Sequence, residues 1–156
     1  MIDEVVFLRH GRTAFNVARR LQGQIDVPLD IIGQWQADQS ASELARRYYW
    51  AKVANIARHP DTLAQPRPGA AKSSDIEEYR QVPASSRRMV VVSSDLFRAR
   101  VTAQAVAEPH HLSVETRPVL REIDMGDWED IPWAELPHTW PEQYALWCAR
   151  PWEAAP

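Results

Sequence analysis

A chain of 156 residues, 45% hydrophobic and 25% charged, is long enough for one domain with a real core, and this balance excludes both general disorder and a membrane span. A formal charge of −3 mildly repels anions at long range, so no nucleic-acid partner is expected and any attraction for an anion falls to local cations. The single cysteine, Cys148, excludes an internal disulfide, no Cys/His cluster has zinc spacing, and no signal peptide or transmembrane helix fits the pattern. The expectation is a cytoplasmic domain over 1–156, with no metal, no cofactor and no membrane partner.

In chain order, the first feature is the apolar run Val5-Val6-Phe7-Leu8, short enough for one buried strand, which stops at Arg9-His10-Gly11. Thr13 then caps a short helix, Ala14 to Leu21, closed near Gly23. In open α/β sheets a strand-to-helix turn of this kind lies at the carboxyl edge, where ligands bind and helix-start N–H groups face anions. The expected ligand is therefore an anion and the expected actor His10. Gln22 to Leu29 reads as a loop because of Pro28, and Arg19 and Arg20 read as a solvated helix face. Asp30 caps a long helix with Trp35, Leu44, Tyr48 and Ile56 on its apolar side and Glu43, Arg46, Arg47 and Lys52 between them. Tyr48-Tyr49-Trp50 reads as core or interface.

From about Arg58 to Arg88, Pro60, Pro66, Pro68, Pro83 and Gly69 mark a long surface excursion, either a tolerated insertion or a lid. Ser74 to Glu77 has the form of a capping box, so a short helix through Tyr79 is expected within it. Met89 to Val92 is the second expected buried strand. It runs into a second strand-to-helix turn with Ser94 or Asp95 as cap, and Pro109 ends the helix that follows. Arg98 lies one turn into that helix, and Arg100 reads as a surface residue. His110-His111 reads as a surface loop rather than a metal site. Ser113 to Glu115 is a third short strand. Asp124, Asp127 and Glu129 are assigned turn-forming or solvated roles, and His138 a structural one in a Pro-bounded turn. Trp140, Tyr144 and Trp147 are spaced i, i+4, i+7 on one helix face, a packing stripe by default and an aromatic substrate wall otherwise.

Three blocks carry a resemblance: Arg9-His10-Gly11-Arg12-Thr13 with Asn16, Ser93 to Ala103 around Arg98, and Leu120-Arg121-Glu122 followed by Gly126-Asp127-Trp128. Taken in order, they resemble the histidine phosphatase superfamily, also called the phosphoglycerate mutase-like family. The resemblance implies an α/β fold, a three-layer αβα sandwich on a mostly parallel sheet. It implies His10 as nucleophile, Glu122 as acid and base, and Arg9, Asn16, Gln22 and Arg98 on the phosphate of a small phosphorylated substrate. The blocks look more like the phosphatase branch, similar to glucosyl-3-phosphoglycerate, broad-specificity or α-ribazole phosphatases, than the glycolytic mutases.

The family's fourth block, a strand ending in a second Ser/Ala-His-Gly, does not occur in this sequence, so the chain looks like a truncated form of a longer domain. Three readings follow: a metal-independent phosphomonoesterase working through a phosphohistidine, a phosphoglycerate mutase, and a non-catalytic phosphate binder that could pair with itself through an open sheet. A homo-oligomer is compatible with each.

Overall fold

The computed structural model describes residues 4–58 and 77–154. Its first two helices start where short polar side chains take orphan N–H groups. Thr13 caps α1 (Ala14–Ala18) through a reciprocal box with Asn16, and Arg19, at φ 54°, closes the helix well before Gly23. Asp30 caps α2 (Ile31–Arg47) by accepting from the Gly33 N–H at 2.7 Å. The expected long helix breaks at Tyr48, and α3 (Tyr49–Arg58) continues beyond it.

The buried side of α2 is Gly33, Ala37 and Ala41, while Trp35 is 58% exposed, which corrects the expected apolar face. Small residues win here because α2 lies against α5 (Phe97–Ala107), and a close helix pair has no room for an indole. Of the excursion, α4 (Glu77–Gln81) and a 3₁₀ turn at Ser85–Arg87 are described; residues 59–76, including the expected capping residue Ser74, lie outside the described residues.

Two strands, β1 (Val91–Ser93) and β2 (Val114–Thr116), pair in parallel, Val91 opposite Val114 and Ser93 opposite Thr116. Parallel neighbours need a crossover, and α5 supplies it. The chain is thus an α/β protein with a parallel sheet, and it places the start of α5 at the strands' carboxyl edge. The run Val5–Leu8 departs from expectation. It forms no ladder among the described residues, and Phe7 is 94% exposed. Apolar, β-branched composition supplies a preference for extended backbone, but a strand exists only beside a partner. Val90 and Val92 of the β1 region are also exposed, correcting the expectation of a buried second strand.

A second core gathers Leu21, Met125, Trp128 and Leu136, with Trp140, Tyr144 and Trp147 packed against it. The Trp128 ring lies 5.9 Å from that of Trp147 and 6.4 Å from that of Tyr144, so the stripe on α7 (Pro141–Ala149) packs as core. His138 lies in the short helix α6 (Leu136–Thr139). Paired backbone bonds, Leu21 N–H to Ile131 C=O and Asp130 N–H to Leu21 C=O, bring the third motif block beside the first. His110, expected in a surface loop, is fully buried in a 3₁₀ turn after α5, because that turn folds back against α2 and α3. No described helix is long and apolar enough to cross a membrane.

Candidate functional site

His10 ends the apolar amino-terminal run and is half-buried. Its Nδ1 lies 2.7 Å from the Gly11 carbonyl, so Nδ1 carries the proton and Nε2 keeps its lone pair. That peptide is itself held: Gly11 N–H donates to Thr102 Oγ1 at 3.1 Å, and the Thr102 hydroxyl donates to the Arg98 carbonyl at 2.9 Å. Gly11 also presses on the Gly33 backbone, where an added Cβ would overlap the carbonyl. Burial lowers the His10 pKa from the ordinary 6.5. Arg98 and Arg9 push the same way, against the Gly11 carbonyl and Glu122. The balance favours the neutral imidazole, with the fields of two guanidinium groups and one carboxylate acting on it.

Arg98 is 2% exposed, and its terminal nitrogens donate to the Ile25 and Gly23 carbonyls at 2.8 and 2.7 Å. Burial lowers its pKa from the ordinary arginine value, opposed by Glu122, Asp26 and Glu129. The first helical arginine is therefore both a cation beside His10 and a strut under the loop 23–27. Three further contacts fix that loop. Asp26 accepts from the Phe97 N–H at 2.6 Å, Glu129 accepts from the Gln24 N–H at 2.6 Å and the Met125 N–H at 3.3 Å, and Arg121 reaches Gln24 Oε1 at 3.3 Å. Glu129 was assigned a turn or solvated role from sequence; it instead ties two loops together. Gly23, at φ 47°, lets the loop pass close to the Glu129 carboxylate.

The cap of α5 is another correction. Neither Ser94 nor Asp95 caps it: Leu96 stands at that position without a side-chain bond, and Asp26 reaches across from the loop to the Phe97 N–H. Asp95 is engaged with Arg121 instead, at 2.6 and 2.5 Å, which holds its carboxyl below the ordinary range.

The remaining expected residues divide. Asn16 and Gln22 both meet the buried Thr13: Asn16 Oδ1 accepts from the Thr13 N–H at 2.9 Å, and Gln22 Oε1 from its hydroxyl at 2.7 Å. Arg9 and Glu122 are exposed, and Glu122 Oε1 accepts from the Ile123 N–H at 3.1 Å. Arg12 turns away into an ion pair with Asp30 at 2.8 Å. Asp124 takes the Gly126 N–H at 2.9 Å in a turn, as its spacing suggests. Arg20 pairs with Asp130 at 2.7 Å, and Arg100 stacks on Phe97 at the surface. Among the described residues no group of His, Cys, Asp and Glu could hold a metal ion. An open groove between α2, α3 and α5 shares no lining residue with this cluster. What the cluster offers chemically is a ring nitrogen that keeps its lone pair, positive charge acting on it, and an exposed carboxylate.

An α/β protein with a histidine in this setting has known counterparts. The family model described as histidine phosphatase superfamily (branch 1) matches residues 5–57 and 75–156. The chain belongs to the histidine phosphatase superfamily. It is 30% identical over 143 residues to the glucosyl-3-phosphoglycerate phosphatase of Mycobacterium tuberculosis, covering 92% of this chain and 47% of that protein. To a probable phosphoglycerate mutase of Proteus mirabilis it is 33% identical over 123 residues, covering 79% and 39%. Among solved structures, mycobacterial glucosyl-3-phosphoglycerate phosphatase complexed with VO3 superposes with a TM-score of 0.59 at 28% identity, covering 88% of this chain and 49% of that one. The α-ribazole phosphatase of Shigella flexneri gives a TM-score of 0.58 at 26% identity, covering 96% and 55%. The chain spans about half the length of the curated relatives it matches.

Proposed function

We propose that the protein hydrolyses a small phosphomonoester through a phosphohistidine on His10, without a metal. The observation that carries this reading is the His10 ring, with Nδ1 bound to the Gly11 carbonyl and Nε2 left free beside Arg98, Arg9 and Glu122. Nε2 attacks phosphorus in line, the P–N bond forming as the bond to the leaving oxygen breaks. Arg9 and Arg98 neutralise the equatorial oxygens, guanidinium groups being suited to fork onto two oxygens. Asn16 and Gln22 add neutral donors. Glu122 in its protonated form, taken up by exchange with water, gives its proton to the departing alkoxide, then as a carboxylate takes one from the water that splits the P–N bond and returns His10 to its resting form. The phosphatase names of the M. tuberculosis and S. flexneri relatives, and the VO3 complex of the mycobacterial structure, support the same reading.

The test is phosphate release from a panel of phosphomonoesters in excess chelator, with the His10→Ala chain as control. Turnover in chelator that falls to background in the variant is expected; chelator-sensitive turnover, or a fully active variant, refutes the proposal. The similarity to a probable phosphoglycerate mutase favours one second reading, phosphoglycerate mutase-type phosphotransfer by way of a phosphorylated enzyme. Isomerisation of phosphoglycerate without phosphate release in the same assay would support it instead.

A further inference from the structure

Thr13 has no side-chain exposure and yet carries a hydroxyl, so its bonds account for its position. Its backbone N–H donates to Asn16 Oδ1 at 2.9 Å, and Oγ1 accepts the Asn16 N–H at 3.2 Å. Those two bonds already complete the cap of α1. Oγ1 also lies 2.7 Å from Gln22 Oε1 and 3.1 Å from Asn16 Oδ1. A hydroxyl has one proton to give, and the shorter contact marks Gln22 as its acceptor.

An amide presents an oxygen at one end and an NH2 at the other, and which end faces an anion decides between repulsion and a hydrogen bond. The Thr13 N–H must meet an oxygen, so Asn16 turns its oxygen inward and its NH2 outward. The Thr13 hydroxyl imposes the same sense on Gln22. Gln22 leads into the loop whose Gly23 carbonyl is held by Arg98, and Arg98 acts on His10. We infer that Thr13 is a positioning residue, whose buried hydroxyl turns the donor end of Gln22 toward the phosphate while its backbone N–H does the same for Asn16. The assignment rests on the phosphatase reading and adds to it a residue that touches no substrate atom. Capping alone would not require the contact to Gln22, which lies outside α1.

The experiment titrates the whole chain with inorganic phosphate and follows the side-chain NH2 signals of Asn16 and Gln22 by NMR, which needs neither turnover nor a variant. Both are expected to shift on binding. Thr13→Val is then expected to weaken phosphate binding roughly tenfold, the scale of one hydrogen bond to a charged group. Thr13→Ser, which keeps the hydroxyl, is expected to restore binding to within about threefold of the wild type. In a Gln22→Leu background, Thr13→Val is expected to cost less than about threefold more, because the partner it acts through is gone. A purely structural Thr13 would instead give independent, multiplying losses. Phosphate binding without NH2 shifts, an unaffected Thr13→Val, a Ser variant as weak as Val, or full independence from Gln22 each overturns the assignment and leaves the phosphatase reading standing. A wild-type chain that binds no phosphate overturns both.

Discussion

The charge state of His10 follows from its immediate surroundings. Withdrawal from water opposes the imidazolium, and two guanidinium groups oppose it further, so the folded chain holds His10 neutral below the pH at which a free histidine would charge. A nucleophilic nitrogen has to be unprotonated, so this shift keeps the attacking form populated on the acid side of neutrality. An NMR titration of the His10 ring should give a midpoint under 6.5, and Arg9→Gln, which removes one cation while leaving the Gly11 bond, should move it upward. A wild-type midpoint above 6.5, or a midpoint that moves down in the variant, contradicts this account. His10, Arg98 and Glu122 could be named as candidates from local motifs, because each lies within a short run of characteristic residues. The residues that hold them could not. Thr102 meets Gly11 across 91 positions and Glu129 meets Gln24 across 105, distances at which no local spacing encodes a partner.

At the scale of elements, a helix start needs an acceptor but not a particular neighbour to supply it. Ser94 and Asp95 have the right chemistry and the right place in the chain, yet Asp26 takes the Phe97 N–H and Asp95 takes Arg121. The loop 23–27 is thereby fastened to α5 at both its side chain and its carbonyls, through Asp26 and through Arg98. Asp26→Ala should therefore cost about 1 kcal/mol in urea unfolding, the usual loss for a missing cap acceptor. Asp95→Ala, which removes only a solvent-screened ion pair, should cost less. The reverse order would restore the local cap. The same distinction between preference and pairing explains Val5–Leu8. Its composition is legible as a buried strand, but it forms no ladder among the described residues, and the partner that would bury it is not encoded in the run itself. The boundaries of α1 and α2 moved for a related reason: Arg19 adopts the left-handed turn that glycine was expected to provide, and Tyr48 interrupts a pattern that periodicity alone would continue.

Across the whole molecule, proton binding links these local arrangements to stability. His110 is fully buried, both its ring nitrogens lack a partner, and burial together with the Lys52 ammonium lowers its pKa. Protonation would place a cation beside another cation with no acceptor for either N–H. The folded chain therefore binds fewer protons than the unfolded one once the pH drops below the ordinary histidine value of 6.5, and stability falls with it. His10 contributes with the same sign over the same range, since its pKa is lowered too. The lowered carboxyls act elsewhere: Asp30, bound to the Gly33 N–H and Arg12, and Asp95, bound to Arg121, lend stability above the ordinary 3.8 that is lost only as the pH falls through their folded values. Between pH 7 and 5 the histidines thus dominate, each with a slope of at most about 1.4 kcal/mol per pH unit. Urea unfolding across that interval should show declining stability for the wild type and a shallower decline for His110→Phe. Any packing penalty from the phenyl ring offsets the variant's whole curve without changing its slope. Parallel curves would mean that His110 takes up its proton in the folded chain as readily as in the unfolded one, and the buried turn after α5 would then have to open to water at a small cost.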